Sequence, residues 1–327
     1  MEKYRKPIHL PEYYIYDIFH NDNNNLIIIA SAEIPILDIY CDDNDDKKKM
    51  NVHKCPHNHT YVYYVEIDYK NKITLNINNK IITTTVNKYE EFNDQIIFST
   101  LVKDENDYMI QWIEYHKNIG ISNFIIYDNS NNESLGLLLK DYIDNKIVIL
   151  IKWLYQYMCP KSGISGQTTQ QNHSIYAFKN AKYIGLFDVD EYVNIQKPIK
   201  INEYFDNLIK DEKINIAKIS SFAIHNKFFY NPDRLPTDGY NFLKIQTCDN
   251  VTKGGREKNF VMPKNVETFS VHMVTKGLPM HRVSEKSIFF NHYQFLNKTY
   301  RGFQVTNLTD ASIMIHIENL IPTKYSV

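Results

Sequence analysis

Two rhythms of apolar and polar positions divide this chain. Up to about residue 93 the apolar positions come in short β-branched and aromatic runs, separated by Asn-, Asp- and Lys-rich turns. Residues 26–31, 60–69, 72–77 and 80–86 have this character and read as strands, with no helical stretch between them. They predict a small antiparallel, sandwich-like β domain over residues 1–93. From residue 94 the rhythm changes. Residues 96–102, 123–127, 147–153 and 183–187 are compact apolar runs expected to be buried strands. Between them, residues 107–118, 135–143 and 170–180 carry helical spacing; the first has Met109, Ile110, Ile113 and Tyr115 on one side and Gly120 at its end. Strand–helix alternation with short connections predicts a Rossmann-like α/β domain over 94–327, with a mostly parallel sheet and helices on both faces. Further on, 201–209 reads as helix and 217–224, 242–247, 291–295 and 311–317 as strands. Residues 225–241 and 248–262 read as loops.

The fourth apolar run ends in carboxylates: Tyr183-Ile184-Gly185-Leu186-Phe187-Asp188-Val189-Asp190-Glu191-Tyr192. On an extended chain Asp188 and Asp190 share a face. Two such carboxylates suit a hard divalent cation, which can hold a diphosphate. Ligands of open α/β sheets bind beyond the carboxyl ends of the strands, where this motif falls.

Composition narrows the choice of partner. Lys and Arg total 37 and Asp and Glu 38, a net charge of −1, so no basic field recruits nucleic acid. No apolar run approaches the roughly 20 residues needed to cross a bilayer, which predicts a cytoplasmic location. Four scattered cysteines do not form a disulfide scaffold. The charged run 42–49 reads as a solvated loop. His53, Cys55, His57 and His59 alternate as zinc ligands could, but Pro56 interrupts them and the spacing fits no standard finger. Trp112 and Trp153 are expected in the core. A homo-oligomer is compatible with all of this.

Residues 102–120, from Val102-Lys103-Asp104-Glu105 through Trp112-Ile113-Glu114-Tyr115-His116 to Gly120, resemble the opening of glycosyltransferase family 92. Phe124-Ile125-Ile126-Tyr127-Asp128-Asn129 continues the match. So do the helix from Gln171, the Asp188-Val189-Asp190 block, Arg256-Glu257-Lys258, Met262-Pro263, Val271-His272 and Asn291-His292-Tyr293, in that order. The resemblance covers residues 98–293. It implies a GT-A fold with a metal, Mn²⁺ or Mg²⁺, at the Asp-x-Asp motif. It also implies transfer of a sugar, often galactose from UDP-galactose, to a carbohydrate acceptor with inversion. An accessory β domain precedes the catalytic one in some relatives, and many are membrane-anchored.

Several residues take expected roles from this likeness. Asp190 is expected to ligate the metal, with Asp188 as ligand or ribose contact. His272 resembles the histidine that completes GT-A metal sites, and His292 is its rival. Arg256 and Lys258 suit the diphosphate, since cationic side chains bind phosphate oxygens. Asp128 resembles the residue that meets uracil or ribose, with Lys103 and Glu105 lining the same pocket. Inversion requires one general base, for which Glu257 is the candidate and Glu191, Asp238 and Asp249 the alternatives. Two other classes compete: a nucleotidyltransferase, which would show a Gly-rich phosphate loop absent here, and an inactive carbohydrate-binding or scaffold protein.

Overall fold

The computed structural model describes residues 6–21, 24–43, 46–55, 59–231, 241–251, 254–293 and 308–317. The N-terminal third is a pair of sheets. One contains β1 (Ile15–His20), β2 (Asn25–Ser31), β5 (Asn51–Lys54), β6 (Thr60–Glu66) and β9 (Asn87–Lys88), in the order β5-β6-β2-β1-β9. The other contains β3 (Ile39–Asp43), β4 (Asp46–Lys49), β7 (Lys72–Ile77) and β8 (Lys80–Thr85), in the order β4-β3-β7-β8. Alternate residues face alternate sides of a strand. Leu26, Ile28 and Ala30 thus join Ile39, Ile73, Leu75 and Ile77 in a core between the two sheets. Ile27 and Ile29 turn the other way, into a second core shared with the rest of the chain.

Two expectations change here. Strand β1 was not legible because Asp17 sits in it; the strand is fully buried and the carboxylate lies at its centre. The charged run is a hairpin of β3 and β4, where Tyr40 pairs with Lys49. Lys47 and Lys49 lie over the Tyr40 ring at 5.1 and 5.4 Å. Lysines on an edge strand keep it solvated and unpaired.

The remainder is mixed α/β. It contains β10 (Ile96–Val102), α1 (Asn106–Asn118), β11 (Asn123–Asp128), α2 (Ser134–Leu138), α3 (Lys140–Asp144) and β12 (Val148–Lys152). Then come α4 (Ser165–Ala177), β13 (Tyr183–Leu186), β14 (Glu191–Ile195), α5 (Ile201–Asp211), β15 (Ser221–Phe229) and β16 (Thr247–Cys248). Next are β17 (Lys258–Val261), β18 (Val266–Ser270), β19 (Met273–Gly277), β20 (Met280–Arg282), β21 (Ile288–Tyr293) and β22 (Leu308–Thr309). An 11-stranded sheet runs β12-β11-β10-β13-β17-β15-β16-β22, with β20 and β21 joined to β15 and β14 to β21. Strands β12, β11, β10 and β13 are mutually parallel. Strand β17 then runs antiparallel to both β13 and β15. Helices α1 and α5 cover one face with Trp112, Ile113, Phe205 and Leu208, while α4 lies against the other. Trp112 and Trp153 are both fully buried.

The sequence reading fails where buried strands are polar. β17 begins with Lys258-Asn259, so it read as loop. His225-Asn226-Lys227 hid the second half of β15. Residues expected as a strand at 311–317 instead form a 3-10 turn at Ser312–His316, and 241–244 do the same. Among the described residues, no helix is long and apolar enough to cross a membrane.

Helix α4 is the least expected element. It was anticipated from residue 170, yet it starts at Ser165, and all of its residues are buried despite a polar sequence. It lies between the N-terminal β2/β6 sheet and the central sheet, so its side chains find partners on both sides. Ser165 Oγ bonds Ser31 Oγ at 2.7 Å and Thr169 bonds Thr60 at 2.8 Å. Gln170 donates to Ser99 on β10 at 2.9 Å. His173 Nε2–H donates to Asp17 at 2.9 Å, and its Nδ1 is hydrogen-bonded to the Tyr127 hydroxyl at 2.7 Å. Asp17 also accepts from Ile8 N, Ile18 N, Asn87 and Tyr89, at 2.7 to 3.0 Å.

Two stability predictions follow from this packing. A Cβ at Gly185 on β13 would lie 2.4 Å from the Phe98 ring. Gly185→Ala is expected to lower unfolding free energy by about 1–3 kcal/mol in urea titration. Asp17→Ala leaves several buried donors unpaired and is expected to cost at least about 3 kcal/mol in the same assay. A change within error would mean the donors find other partners.

Candidate active site

The carboxylates sit where the parallel sheet ends. β13 stops at Leu186, and the chain turns through Asp188 and Asp190 before β14 begins at Glu191. Strand β21 pairs antiparallel with β14, and its register places His292 directly opposite Glu191. β21 also pairs with β15, which sets Phe228 beside His292. The imidazole is thus fixed from both sides. Its Nε2 is 3.5 Å from Asp190 Oδ2 and its Nδ1 is 3.6 Å from Glu191 Oε1. Asp190, Glu191 and His292 present donor atoms that all lie within 4.8 Å of one another. The Phe228 ring lies 4.8 Å from the His292 ring, and the Arg256 guanidinium sits over Phe228 at 5.5 Å.

Lys258 completes the cluster. It opens β17, which lies beside β13, and its amine is 2.7 Å from Asp188 and 3.0 Å from Glu191. Glu191 Oε2 also accepts the Asp188 backbone N–H at 2.9 Å. Lys258 and Glu191 are almost wholly buried, whereas the Asp188 side chain is 42% exposed. Burial and the nearby Asp188 and Asp190 push the Glu191 carboxyl pKa up, against the pull of Lys258 and His292. Burial alone would lower the Lys258 pKa, but Asp188 and Glu191 outweigh it and hold the amine firmly charged. His292 is likewise raised: burial opposes its charge, and Asp190 then Glu191 overcome that.

The other expected site residues each have their own surroundings. His272 faces the same charges: burial and then Lys258 lower its pKa. Its Nδ1 meets the Glu257 carbonyl at 3.1 Å, which can only accept, so Nε2 carries the lone pair. Lys258 joins the acidic cluster, while the carboxylate of its neighbour Glu257 meets Arg282 at 3.4 Å. Burial would raise the Glu257 pKa, but its own backbone N–H and Arg282 hold it below the usual range. Asp128 is fully buried, bound to Lys152 at 2.6 Å and to the Ser130 N–H at 2.9 Å, so both of its oxygens are engaged. Lys103 is exposed and Glu105 stands at the start of α1. Asp249 accepts from the Tyr230 hydroxyl, and Asp238 lies outside the described residues.

Three of the anticipated zinc ligands go to different partners. The His53 ring stacks on Tyr64 and faces Glu267 at 3.2 Å. Cys55 donates to the Phe269 carbonyl at 3.4 Å, and His59 meets the Ser162 carbonyl. His57 lies outside the described residues.

Sequence reasoning named the members of the cluster but not their grouping. Glu191 was weighed only as a base and Lys258 only as a phosphate ligand. Their pairing follows from strand register, which no local motif encodes. Lys152, the partner of Asp128, carried no signal beyond its place at the end of an apolar run.

Removing Lys258 isolates a buried carboxylate. Lys258→Met is expected to cost about 3–5 kcal/mol in denaturant unfolding. Adding Glu191→Gln should recover part of that loss. A loss below about 1 kcal/mol in the single variant would show that the pair contributes little.

Comparison with known proteins bears on the family resemblance. The model of glycosyltransferase family 92 matches residues 97–325, well over half of the chain. A family 92 protein of Ricinus communis is 22% identical over 205 residues, covering 60% of this chain and 34% of the relative. One from Oryza sativa subsp. japonica is 21% identical over 203 residues, covering 60% and 32%. The chain thus spans about a third of the length of the curated relatives it matches. Among solved structures, TarS of S. aureus aligns with a TM-score of 0.37 and 9% identity, over 61% of this chain and 36% of that one. HddC of Yersinia pseudotuberculosis aligns with a TM-score of 0.31 and 11% identity, over 59% and 92%. From the family match and the ordered motifs, the chain belongs to glycosyltransferase family 92.

Proposed function

We propose that this chain is a metal-dependent glycosyltransferase of GT-A type. It moves a sugar, galactose in the first instance, from a UDP donor to a carbohydrate acceptor with inversion. Residues 1–93 act as an accessory β unit. The observation that carries this reading is the convergence of Asp190, Glu191 and His292 at a strand tip, beside the buried cation Lys258.

The donor set fits the expected ion. Two carboxylates and an imidazole suit Mn²⁺, and with added water or phosphate oxygens also Mg²⁺. Asp190 belongs both to the motif and to the converging group, so it is the first ligand. His272 and Asp188, also expected as ligands, lie outside the converging group: His272 Nδ1 meets the Glu257 carbonyl and Asp188 meets Lys258, so His292 is the histidine of the set. The ion would supply Lewis-acid neutralisation of the departing diphosphate.

The chain's own groups account for the rest. In the transfer, the acceptor oxygen bonds the anomeric carbon as the bond from that carbon to the diphosphate oxygen breaks. The electron pair leaves with the diphosphate, and the acceptor proton passes to a carboxylate. Lys258, kept charged, provides a fixed positive charge in a buried setting, where it acts more strongly than in water. Arg256 is exposed over Phe228 and can fold onto the outer phosphate. Glu257 is held ionised, as a proton acceptor must be, and is the base to test first.

The test is release of UDP from a panel of UDP-sugars by the purified chain, with and without Mn²⁺. Release from one sugar, only with metal, is expected. Asp190→Ala should reduce it by at least about 100-fold while the thermal midpoint holds. Undiminished metal-dependent release by Asp190→Ala would remove the site assignment.

A further inference from the structure

Just beyond β12 the chain exposes three apolar side chains within five residues: Leu154 at 55%, Tyr157 at 45% and Met158 at 54%. Exposed apolar groups are ordinary when scattered, but three within five residues call for an explanation. This group is also built, not loose. The Gly166 N–H donates to the Tyr157 carbonyl at 3.1 Å. The two backbones approach so closely that a Cβ at Gly166 would lie 2.6 Å from Tyr157 Cα and from the Gln156 carbonyl oxygen. The Tyr157 hydroxyl donates to Gln167 Oε1 at 2.7 Å, and Gln167 is itself 8% exposed. The residue is therefore fixed at its backbone and at its far end, while it stays 45% exposed.

Its position ties it to the acidic cluster. Gly166 and Gln167 open α4, whose next turn carries Gln171, and Gln171 holds the Val271 N–H beside His272 at 3.0 Å. Burial and then Asp188 raise the Tyr157 phenol pKa, with Lys258 opposing, so the ring lies in the field of both charged groups.

We propose that Tyr157 is an aromatic platform of this site, on which the apolar face of a pyranose ring stacks, that ring being the sugar of the donor or of the acceptor. The inference rests on the glycosyltransferase reading above and adds to it the residue that receives the sugar. A pyranose presents C–H groups on its face and hydroxyls at its rim. A fixed tyrosine meets the face with little entropy left to lose on binding. Leu154 and Met158, close by in sequence, add further exposed apolar surface.

Saturation-transfer NMR tests this without requiring turnover. The probes are the methyl β-glycosides of galactose, glucose and N-acetylglucosamine for the acceptor arm, and UDP-galactose against UDP with Mn²⁺ for the donor arm. Wild type, Tyr157→Ala and Tyr157→Phe are compared. In at least one arm, sugar protons are expected to receive saturation with wild type and Tyr157→Phe. Affinity should be weaker by about 10-fold with Tyr157→Ala. Loss confined to the glycosides assigns the platform to the acceptor; loss of the galactose contacts of UDP-galactose, with UDP binding kept, assigns it to the donor. Equal sugar binding by wild type and Tyr157→Ala, or no sugar binding by wild type, overturns the proposal. Absence of UDP release by wild type, with sugar binding still dependent on Tyr157, would overturn the transferase reading and leave the platform standing.

Discussion

Helix α4 is polar yet wholly buried, so its side chains must be met by the elements packed around it, and that requirement joins the molecule together. On one side the partners are Ser31, Thr60 and Asp17 of the N-terminal sheets. On the other they are Ser99 and Tyr127 of the parallel strands. At a third edge Asn172 exchanges hydrogen bonds with the backbone of Phe269, and Gln171 binds Val271. An apolar helix could slide against these surfaces with little penalty. A polar one has a single arrangement in which its groups are satisfied, and that arrangement also sets His272 and Tyr157 relative to the acidic strand tip.

Charge is handled in the same way around the motif. Asp188, Asp190 and Glu191 crowd three carboxylates into a few residues, and Glu191 is buried. Lys258 brings positive charge to them from β17, and His292 brings an imidazole from β21. Burial keeps the Glu191 pKa raised even with both in place.

The parallel half of the sheet and the acidic tip were legible because buried parallel strands are continuous apolar runs, and the switch from apolar to acidic is abrupt in sequence. The rest was obscured by polar residues in buried places. Asp17 masked β1, Lys258 and Asn259 masked β17, and the Gln-, Thr- and Ser-rich start of α4 concealed its first turn and a half. Each is compensated by a partner remote in sequence, such as His173 for Asp17 at a separation of 156 residues. Local pattern cannot reveal such partners. The pairing of Glu191 with His292 likewise depends on strand register, and a one-residue slip would turn the imidazole to the opposite face.

The double pairing of β21, with β14 on one side and β15 on the other, has a consequence for synthesis. Both carboxylates of the converging group leave the ribosome well before the histidine that faces them. A nascent chain can form the four parallel strands and display Asp190 and Glu191, yet their grouping with His292 is incomplete until β21 has docked between two strands made earlier. A chain cut short before Ile288 would keep Lys258 beside Asp188 and Glu191 but lack the imidazole that faces Asp190.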